Sequence, residues 1–197
     1  VISGARGGRG QAGGERVAGG GAKLVLGGRH TDALQALALR FPGQIEPVQA
    51  DITEAAGREA GLLAARHFGG LNTLINAAGS NKFSLLEQHD EAAIASLIGL
   101  NVTATLQLTH RLLPLLSQQA RALVVNMGST FGSIGYPGFA AYCASKFAIR
   151  GFSEALRREL ADSQVKVLYI APRATNTSMN SAAVVAMNDA LKVAMDD

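Results

Sequence analysis

The chain has 197 residues, of which 48% are hydrophobic and 17% charged, and a formal net charge of +3, the profile of a single globular domain over residues 1–197. Its one cysteine, Cys143, excludes an internal disulfide, and the scattered histidines predict no metal site, so we expect a reducing, cytoplasmic location. No apolar run approaches the ~18 residues of a membrane span, and no basic block favours nucleic acid, so we expect neither partner.

Short hydrophobic runs typical of β-strands alternate with longer segments of helical periodicity. Val1 and Ile2 predict the end of a first strand, so we expect the chain to begin inside that element. Five more strands are predicted at 23–26, 44–49, 72–76, 121–126 and 165–170. Helical spacing is clearest within 97–112 and 147–160. This alternation is typical of βαβ units, and strands hydrophobic on both faces require helices on both sides, so the sequence predicts an α/β fold with a doubly wound parallel sheet.

Glycine is concentrated at the start of the chain, where 11 of the 23 glycines fall within the first thirty residues. Residues 3–10 read Ser-Gly-Ala-Arg-Gly-Gly-Arg-Gly, between the first strand and a predicted helix. Bare backbone N–H groups and the positive end of a helix bind phosphate, so this turn predicts a phosphate site, with a plain flexible loop as the alternative. Five further glycines occupy the predicted helix at about 1 kcal/mol each and predict poor order there: Gly13, Gly14, Gly19, Gly20 and Gly21.

The second predicted strand is followed by Arg29, and no acidic residue stands at its end. In dinucleotide-binding folds an acidic residue at this place binds the ribose 2′-hydroxyl, whereas an arginine accommodates a 2′-phosphate. Arg29 therefore favours a phosphorylated ribose. The alternative is an exposed arginine at the start of the next helix.

Tyr142 and Lys146 are four residues apart in a helical segment, so their side chains share one face. A cation within ~4 to 6 Å lowers the pKa of a phenol toward the range useful for acid/base chemistry. Ser129 follows a predicted strand, and such loops border the ligand crevice of a doubly wound sheet. Together the three residues predict a hydride-transfer site, whereas the Tyr/Lys spacing alone is common in helices and usually means an amphipathic surface pair.

These motifs, in this order, resemble those of the short-chain dehydrogenase/reductases over almost the whole chain. Residues 3–10 match the family's Thr-Gly-x-x-x-Gly-x-Gly turn, Asp51 its acidic residue after the third strand, and residues 76–79 its Asn-Asn-Ala-Gly segment. The family's helical asparagine matches Asn101, and its serine precedes the tyrosine by thirteen positions, as Ser129 does here.

The resemblance implies a Rossmann-type fold and an NAD(P)-dependent oxidoreductase acting on a small alcohol or carbonyl. It implies that Tyr142 is the acid/base, that Lys146 binds the nicotinamide ribose, that Ser129 holds the substrate oxygen, and that Asn101 anchors a water. The cofactor contacts it implies, besides Arg29, are Gly4, Arg6, Gly8, Gly10, Asp51, Ile52, Asn76, Ala77, Ala78, Gly79, Tyr142, Lys146, Pro172, Thr175 and Thr177.

Some of these residues also have structural interpretations. Asp51 could be the N-cap of the next helix, Asn101 could bond a backbone carbonyl between helices, and Asn76 could be a turn residue. Arg173 stands where the family has glycine after its proline. The chain is shorter than is usual for the family, so we expect its C-terminal end to be missing.

The sequence thus predicts an NADP(H)-preferring carbonyl reductase or alcohol dehydrogenase, with NAD(H) as the other cofactor. The resemblance implies a homodimer or homotetramer. Two alternatives stay open: a 3-oxoacyl-thioester reductase with the same catalytic residues, and a non-catalytic nucleotide-binding regulatory protein. Loop residues that suggest an apolar substrate are Phe131, Ile134, Tyr136, Pro137 and Met179.

Overall fold

The computed structural model describes residues 1–5 and 7–172. Its six strands are β1 (Ile2–Ser3), β2 (Leu24–Gly28), β3 (Ile45–Gln49), β4 (Thr73–Asn76), β5 (Ala122–Met127) and β6 (Val165–Ile170). Its α-helices are α1 (Gly8–Gly19), α2 (Asp32–Arg40), α3 (Ala55–His67), α4 (Glu91–Ile98), α5 (Ala104–Leu116) and α6 (Ala140–Glu159). The predicted alternation of strands and helices is confirmed, with strand ends shifted by at most two residues.

All six strands run parallel in one sheet, in the order β3-β2-β1-β4-β5-β6. The chain steps outward from β1 to β3, then returns to pair β4 with the other side of β1. This reversal beside β1 is the topological switch point, where the connections from neighbouring strands leave on opposite faces and open a crevice. The carboxyl ends of β1 and β4, at Ser3 and Asn76, border that crevice.

Two hydrophobic clusters cover the two faces of the sheet. Leu74 of β4 belongs to a cluster with residues of α3, α5 and α6, such as Leu62, Leu112 and Leu156. The next residue, Ile75, packs on a second cluster that includes residues of α1 and α2. Because successive strand residues point to opposite faces, the clusters lie on opposite sides, which confirms the doubly wound architecture.

One strand departs from the expected pattern. Val165 and Val167 of β6 are buried, but Leu168 and Ile170 are 44% and 38% exposed, so the expectation of a strand hydrophobic and buried on both faces is wrong here. The physical reason is position, since β6 is at the edge of the sheet and pairs with β5 alone among the described strands. The central β5 buries Val124 and Val125 in succession.

The glycine-rich segment for which the sequence predicted poor order is a continuous twelve-residue helix, α1. An added Cβ would meet nothing within 4 Å at Gly13 or Gly19, so these glycines are not required by packing. At Gly14 it would touch only the Leu26 and Leu37 side chains, at 3.4 Å or more. The helix is therefore held by its buried side, at Gly14 and Ala18, rather than by intrinsic propensity.

Helices α4 and α5 are joined by a single π-helical turn, Gly99–Thr103, into a stretch from Glu91 to Leu116. This stretch is long and apolar enough to cross a membrane by length and composition, a test that core helices also pass. Here Leu108, Leu112 and Leu116 pack into the cluster on the sheet. π-turns commonly occur at functional sites, and this one carries Asn101.

A chain of buried polar side chains runs along one face of the sheet, at the carboxyl ends of β4 and β5. The Asn76 amide donates to Thr109 Oγ1 at 2.9 Å and to Asn126 Oδ1 at 2.8 Å. The Asn126 amide in turn donates to Ser153 Oγ at 2.9 Å. These four residues are at most 4% exposed, so the bonds fix α5 and α6 to β4 and β5 in a dry environment.

Replacing Asn126 tests this chain of bonds. Asn126→Ala leaves the Asn76 amide and the Ser153 hydroxyl without that partner, which costs about 1–3 kcal/mol for buried groups. We expect a lower midpoint of urea unfolding with an unchanged slope. Asn72→Ala, which truncates an exposed asparagine just before β4, is the control and should change stability by no more than ~0.5 kcal/mol. Equal effects of the two substitutions would contradict the structural role of Asn126.

Candidate active site

The glycine turn after β1 is built from close backbone contacts. Gly4 has a φ of +65°, and a Cβ added to it would lie 2.5 Å from Ala78 Cα. A Cβ on Gly10 would lie 2.5 Å from the Gly4 carbonyl oxygen. Only glycine permits both approaches, so the turn, the start of α1 and the segment after β4 are packed backbone to backbone.

Helix α1 begins at Gly8, directly after the glycine turn. Its N-cap is Gly7, which has no side chain to cap the first N–H groups, and the first turn holds no acidic residue. Uncapped N–H groups and the positive helix end favour an anion such as a phosphate. These features are compatible with the predicted phosphate site at Gly4, Gly8 and Gly10, which stays a prediction. Arg6 lies outside the described residues.

Ser3 ties this turn to the neighbouring strand, a contact that the sequence reasoning missed. Its hydroxyl accepts hydrogen bonds from the N–H groups of Ala77, at 3.2 Å, and Ala78, at 3.4 Å. A serine or threonine directly before the first glycine was the available signal. Ser3 is buried, and these two bonds hold the segment after β4 against the carboxyl end of β1, at the border of the crevice.

The predicted cofactor residues 76–79 divide into different roles. Both amide hydrogens of Asn76 are committed to the buried chain of bonds, so its side chain has no donor left for a cofactor. Gly79 lies deeper in the site, since a Cβ on it would be 3.2 Å from Asn101 Oδ1 and 3.8 Å from Lys146 Nζ. This segment shapes the crevice mainly through its backbone.

Arg29 and Asp51 stand side by side, because they follow the paired strands β2 and β3. Arg29 is exposed. The hydrogen bond from the Thr53 hydroxyl lowers the pKa of Asp51 below its ordinary value, and the Thr53 N–H and the nearby Arg29 guanidinium lower it further. The N-cap of α3 is Glu54, so the interpretation of Asp51 as that cap is wrong.

The side chain of Ile52, predicted beside the cofactor, is buried in the core.

Helix α6 carries Tyr142 and Lys146 one turn apart on its buried face. Lys146 Nζ lies 5.6 Å from the centre of the Tyr142 ring and donates to the Met127 carbonyl oxygen at 3.0 Å. Both side chains are at most 8% exposed, which contradicts the interpretation of a surface pair. An ammonium withdrawn from water beside a phenol favours the phenolate.

Ser129 begins the tight turn Thr130–Gly132 at the carboxyl end of β5. Its Oγ accepts a hydrogen bond from the Phe131 N–H at 3.2 Å, and a hydroxyl group that accepts one bond can also donate its hydrogen. The Phe131 ring packs edge-on against the Tyr142 ring, with centroids 6.2 Å apart. Since Lys146 bonds Met127, two residues earlier, the structure brings Ser129, Tyr142 and Lys146 to one wall of the site.

The side chain of Asn101 makes three hydrogen bonds within the protein, which use both of its amide hydrogens. Its Oδ1 accepts from Ser80 N at 2.8 Å, and its amide donates to the Ser80 carbonyl at 2.9 Å and to Ser145 Oγ at 3.0 Å. Ser145 Oγ donates to the Tyr142 carbonyl at 2.7 Å. Asn101 thus bonds a backbone carbonyl, but that carbonyl lies in the loop after β4 and not between helices, and the bond to Ser145 connects this loop to the helix that carries Tyr142.

An aromatic wall borders Tyr142, and half of it was missed by the sequence reasoning. Phe131 packs against Tyr136 and Phe139 with both centroid distances at 5.1 Å, and Phe83 lies 5.3 Å from Phe139. Phe83 and Phe139 are distant in sequence and carried no motif. Ile134 is exposed and lies in the same loop. This wall offers an apolar surface next to the phenol.

The other predicted site residues lie near or beyond the end of the described structure. Pro172, the last residue of the described range, follows β6 after one intervening residue. Thr175, Thr177, Arg173 and Met179 lie outside the described residues. Within residues 1–5 and 7–172, no group of three His, Cys, Asp or Glu side chains could hold a metal ion.

This fold and site define a doubly wound dinucleotide-binding domain with a Ser/Tyr/Lys wall. The sequence matches the family model of the short chain dehydrogenases over residues 1–187. The chain therefore belongs to the short-chain dehydrogenase/reductase family, whose members are oxidoreductases that use NAD(P)(H). The structure agrees with the Rossmann-type fold of that family.

Relatives support this assignment. An uncharacterized oxidoreductase of Staphylococcus saprophyticus is 30% identical over 183 residues, covering 91% of this chain and 74% of that protein. A short-chain dehydrogenase from Streptomyces avermitilis has a TM-score of 0.85 at 30% identity; the match covers 90% of this chain and 66% of that one. A 3-ketoacyl-(acyl-carrier-protein) reductase from Brucella melitensis, complexed with NADH, has a TM-score of 0.85 at 28% identity, covering 90% and 76%.

Two alanine substitutions in α1 separate a required glycine from a dispensable one. Gly10→Ala places a methyl group 2.5 Å from the Gly4 carbonyl, so we expect a loss of about 1–3 kcal/mol and weaker NADPH binding. Gly13→Ala, in the same helix with no neighbour within 4 Å, should stabilise by about 1 kcal/mol and leave binding unchanged. Urea unfolding and NADPH fluorescence titration measure both effects. A neutral Gly10→Ala would rule out the close contact.

Proposed function

We propose that this protein is an NADP(H)-preferring oxidoreductase that interconverts a small carbonyl compound and its alcohol. The observation that carries the proposal is the buried pair of Tyr142 and Lys146 on α6, facing the Ser129 turn at the carboxyl ends of β4 and β5. A binding module has no need of a desolvated ammonium beside a phenol. An acid/base catalyst does, because its pKa must approach the working pH.

The described residues fit a dinucleotide. The glycine cradle of Gly4 and Gly10 would be filled by any Cβ, and the uncapped start of α1 provides N–H donors for the pyrophosphate. We assign the adenosine end to the side of Arg29 and Asp51, and the nicotinamide end to the side of Gly79 and Lys146. The bound nicotinamide supplies or accepts the hydride.

The proton is handled by the chain's own residues. In the reducing direction the Tyr142 hydroxyl donates its proton to the carbonyl oxygen, and the ammonium of Lys146 stabilises the phenolate that remains. The Ser129 hydroxyl donates a hydrogen bond to the same oxygen and so lowers the energy of the negative charge that develops on it. The hydride on carbon and the proton on oxygen balance the product alcohol.

Asn101 supports this arrangement through the protein. Its bonds to Ser80 and Ser145 hold α6 in place relative to the loop after β4. Because both of its amide hydrogens are bonded within the protein, we assign Asn101 a positioning role. The water that the family resemblance implies at this residue stays a prediction.

Removing the Tyr142 hydroxyl tests the proposed acid/base. Tyr142→Phe should lower kcat by at least 100-fold, the usual contribution of a positioned acid/base. NADPH binding, measured by fluorescence, should stay within about threefold, since the ring and the Lys146 bond to Met127 remain. An active variant would exclude Tyr142 as the proton donor.

The preference for NADP(H) is tested by reversing the charge at residue 29. Arg29→Asp should weaken NADPH binding by at least 10-fold and leave NADH binding nearly unchanged, because only NADPH carries the 2′-phosphate. Arg121→Asp makes the same charge change just before β5, at the amino ends of the parallel strands and so at the opposite end from Arg29, and is the control. Equal losses for the two cofactors would mean that Arg29 does not read the phosphate.

The aromatic wall beside Tyr142 supports an apolar substrate, and the resemblance to the Brucella reductase favours a 3-oxoacyl thioester as the second candidate. A panel assayed by NADPH oxidation at 340 nm discriminates them: 4-nitrobenzaldehyde, acetophenone, 2-octanone and acetoacetyl-CoA. Selective reduction of acetoacetyl-CoA supports the thioester reductase. Cofactor binding without any turnover supports a regulatory nucleotide-binding protein.

We also propose that the protein is cytoplasmic and that it forms a homodimer or homotetramer.

A further inference from the structure

We propose that Tyr169 of β6 is a positioning residue that holds Ser129 in its place beside Tyr142. The inference rests on the proposed function of Ser129 as the group that binds the substrate oxygen. Tyr169 carries no motif of the family resemblance described above, and its role follows from three contacts around the Ser129 turn.

The first contact is a pair of hydrogen bonds to the backbone of Ser129. The Tyr169 hydroxyl donates to the Ser129 carbonyl oxygen at 3.3 Å and accepts from the Ser129 N–H at 3.5 Å. Both bonds are long, so each is weak. Because they reach both peptide groups of one residue, they restrict the rotation of Ser129 and therefore the direction of its side chain.

The second contact is steric. A Cβ added to Gly128 would lie 2.2 Å from Tyr169 Cζ, and a Cβ added to Gly132 would lie 2.4 Å from the Tyr169 hydroxyl oxygen. The ring therefore fills a notch that exists only because the residues at both ends of the turn are glycines. A smaller side chain at position 169 would leave this notch empty, between two residues with high backbone freedom.

The third contact closes the turn from the other side. The same added Cβ on Gly132 would lie 2.9 Å from the carbonyl oxygen of Lys146 on α6. The turn is thus wedged between the Tyr169 ring and the helix that carries the proposed acid/base. Through this wedge Tyr169 sets the spacing between Ser129 and the face of α6 that holds Tyr142 and Lys146.

The kinetic test uses NADPH and 4-nitrobenzaldehyde, or the best carbonyl of the panel. Tyr169→Phe keeps the ring and loses the two weak bonds, so kcat should fall about three- to tenfold. Tyr169→Ala empties the notch, and kcat should fall about 100-fold, as for a misplaced catalytic group. NADPH affinity should change less than twofold in both variants. Unchanged kcat in Tyr169→Ala would overturn the proposal.

A double-mutant cycle distinguishes positioning from a general structural role. If Tyr169 acts through Ser129, Tyr169→Phe should lower kcat less than twofold in a Ser129→Ala background. A full additional loss in that background would show that Tyr169 acts by another route, and would refute the proposal.

The notch has its own cycle, read as melting temperature. Gly128→Ala should destabilise the protein with tyrosine at position 169, and should be tolerated beside Tyr169→Ala, because the clash is then absent. Gly151→Ala on α6, with no neighbour within 4 Å, is the control and should not depend on residue 169. Equal destabilisation by Gly128→Ala in both backgrounds would exclude the wedge.

A crystal structure of Tyr169→Ala decides the proposal without relying on turnover. We expect Ser129 Oγ to move by about 1 Å or more relative to the Tyr142 hydroxyl, and an unmoved Ser129 would overturn the positioning role. If the wild-type protein reduces no carbonyl of the panel while Ser129 moves as expected, the proposed function fails and the wedge stands.

Discussion

The backbone of Gly4 lies against the backbone of Ala78 at the switch point of the sheet, and the cofactor crevice depends on this contact. The two segments of backbone meet because β1 and β4 are paired neighbours, and the connections that follow them leave on opposite faces of the sheet. Any side chain at Gly4 would push the two strand ends apart, and one at Gly10 would lift α1 from the turn. The bond from Ala77 to Ser3 holds the approach in place.

Buried hydrogen bonds carry this constraint to the catalytic helix. Asn76, Asn126 and Ser153 link β4, β5 and α6, while Asn101 and Ser145 link the loop after β4 to the Tyr142 backbone. Each satisfied bond contributes about 1 kcal/mol, and a broken one leaves a buried polar group that costs more. Helix α6 is therefore fixed at several points, which holds Tyr142 and Lys146 in place relative to the carboxyl ends of β4 and β5.

Much of this arrangement was predictable from the sequence. Hydrophobic runs located all six strands to within two residues, and the four-residue spacing of Tyr142 and Lys146 placed both on one helix face. The failures have a common cause. The burial expected for Leu168 and the missed residues Phe83 and Tyr169 all depend on which elements lie beside each other in space.

The sequence by itself determined the periodicities, the turn chemistry and the identity of the reactive groups, because these depend on residues close together in the chain. Only the tertiary structure decided which glycines are required, that Asp51 does not cap α3, and how Ser129 is held. Those properties arise from contacts across the sheet, such as Tyr169 against Gly128, that pair residues about forty positions apart. Local sequence patterns do not determine the distance between such residues, because that distance depends on how the whole sheet and its helices pack.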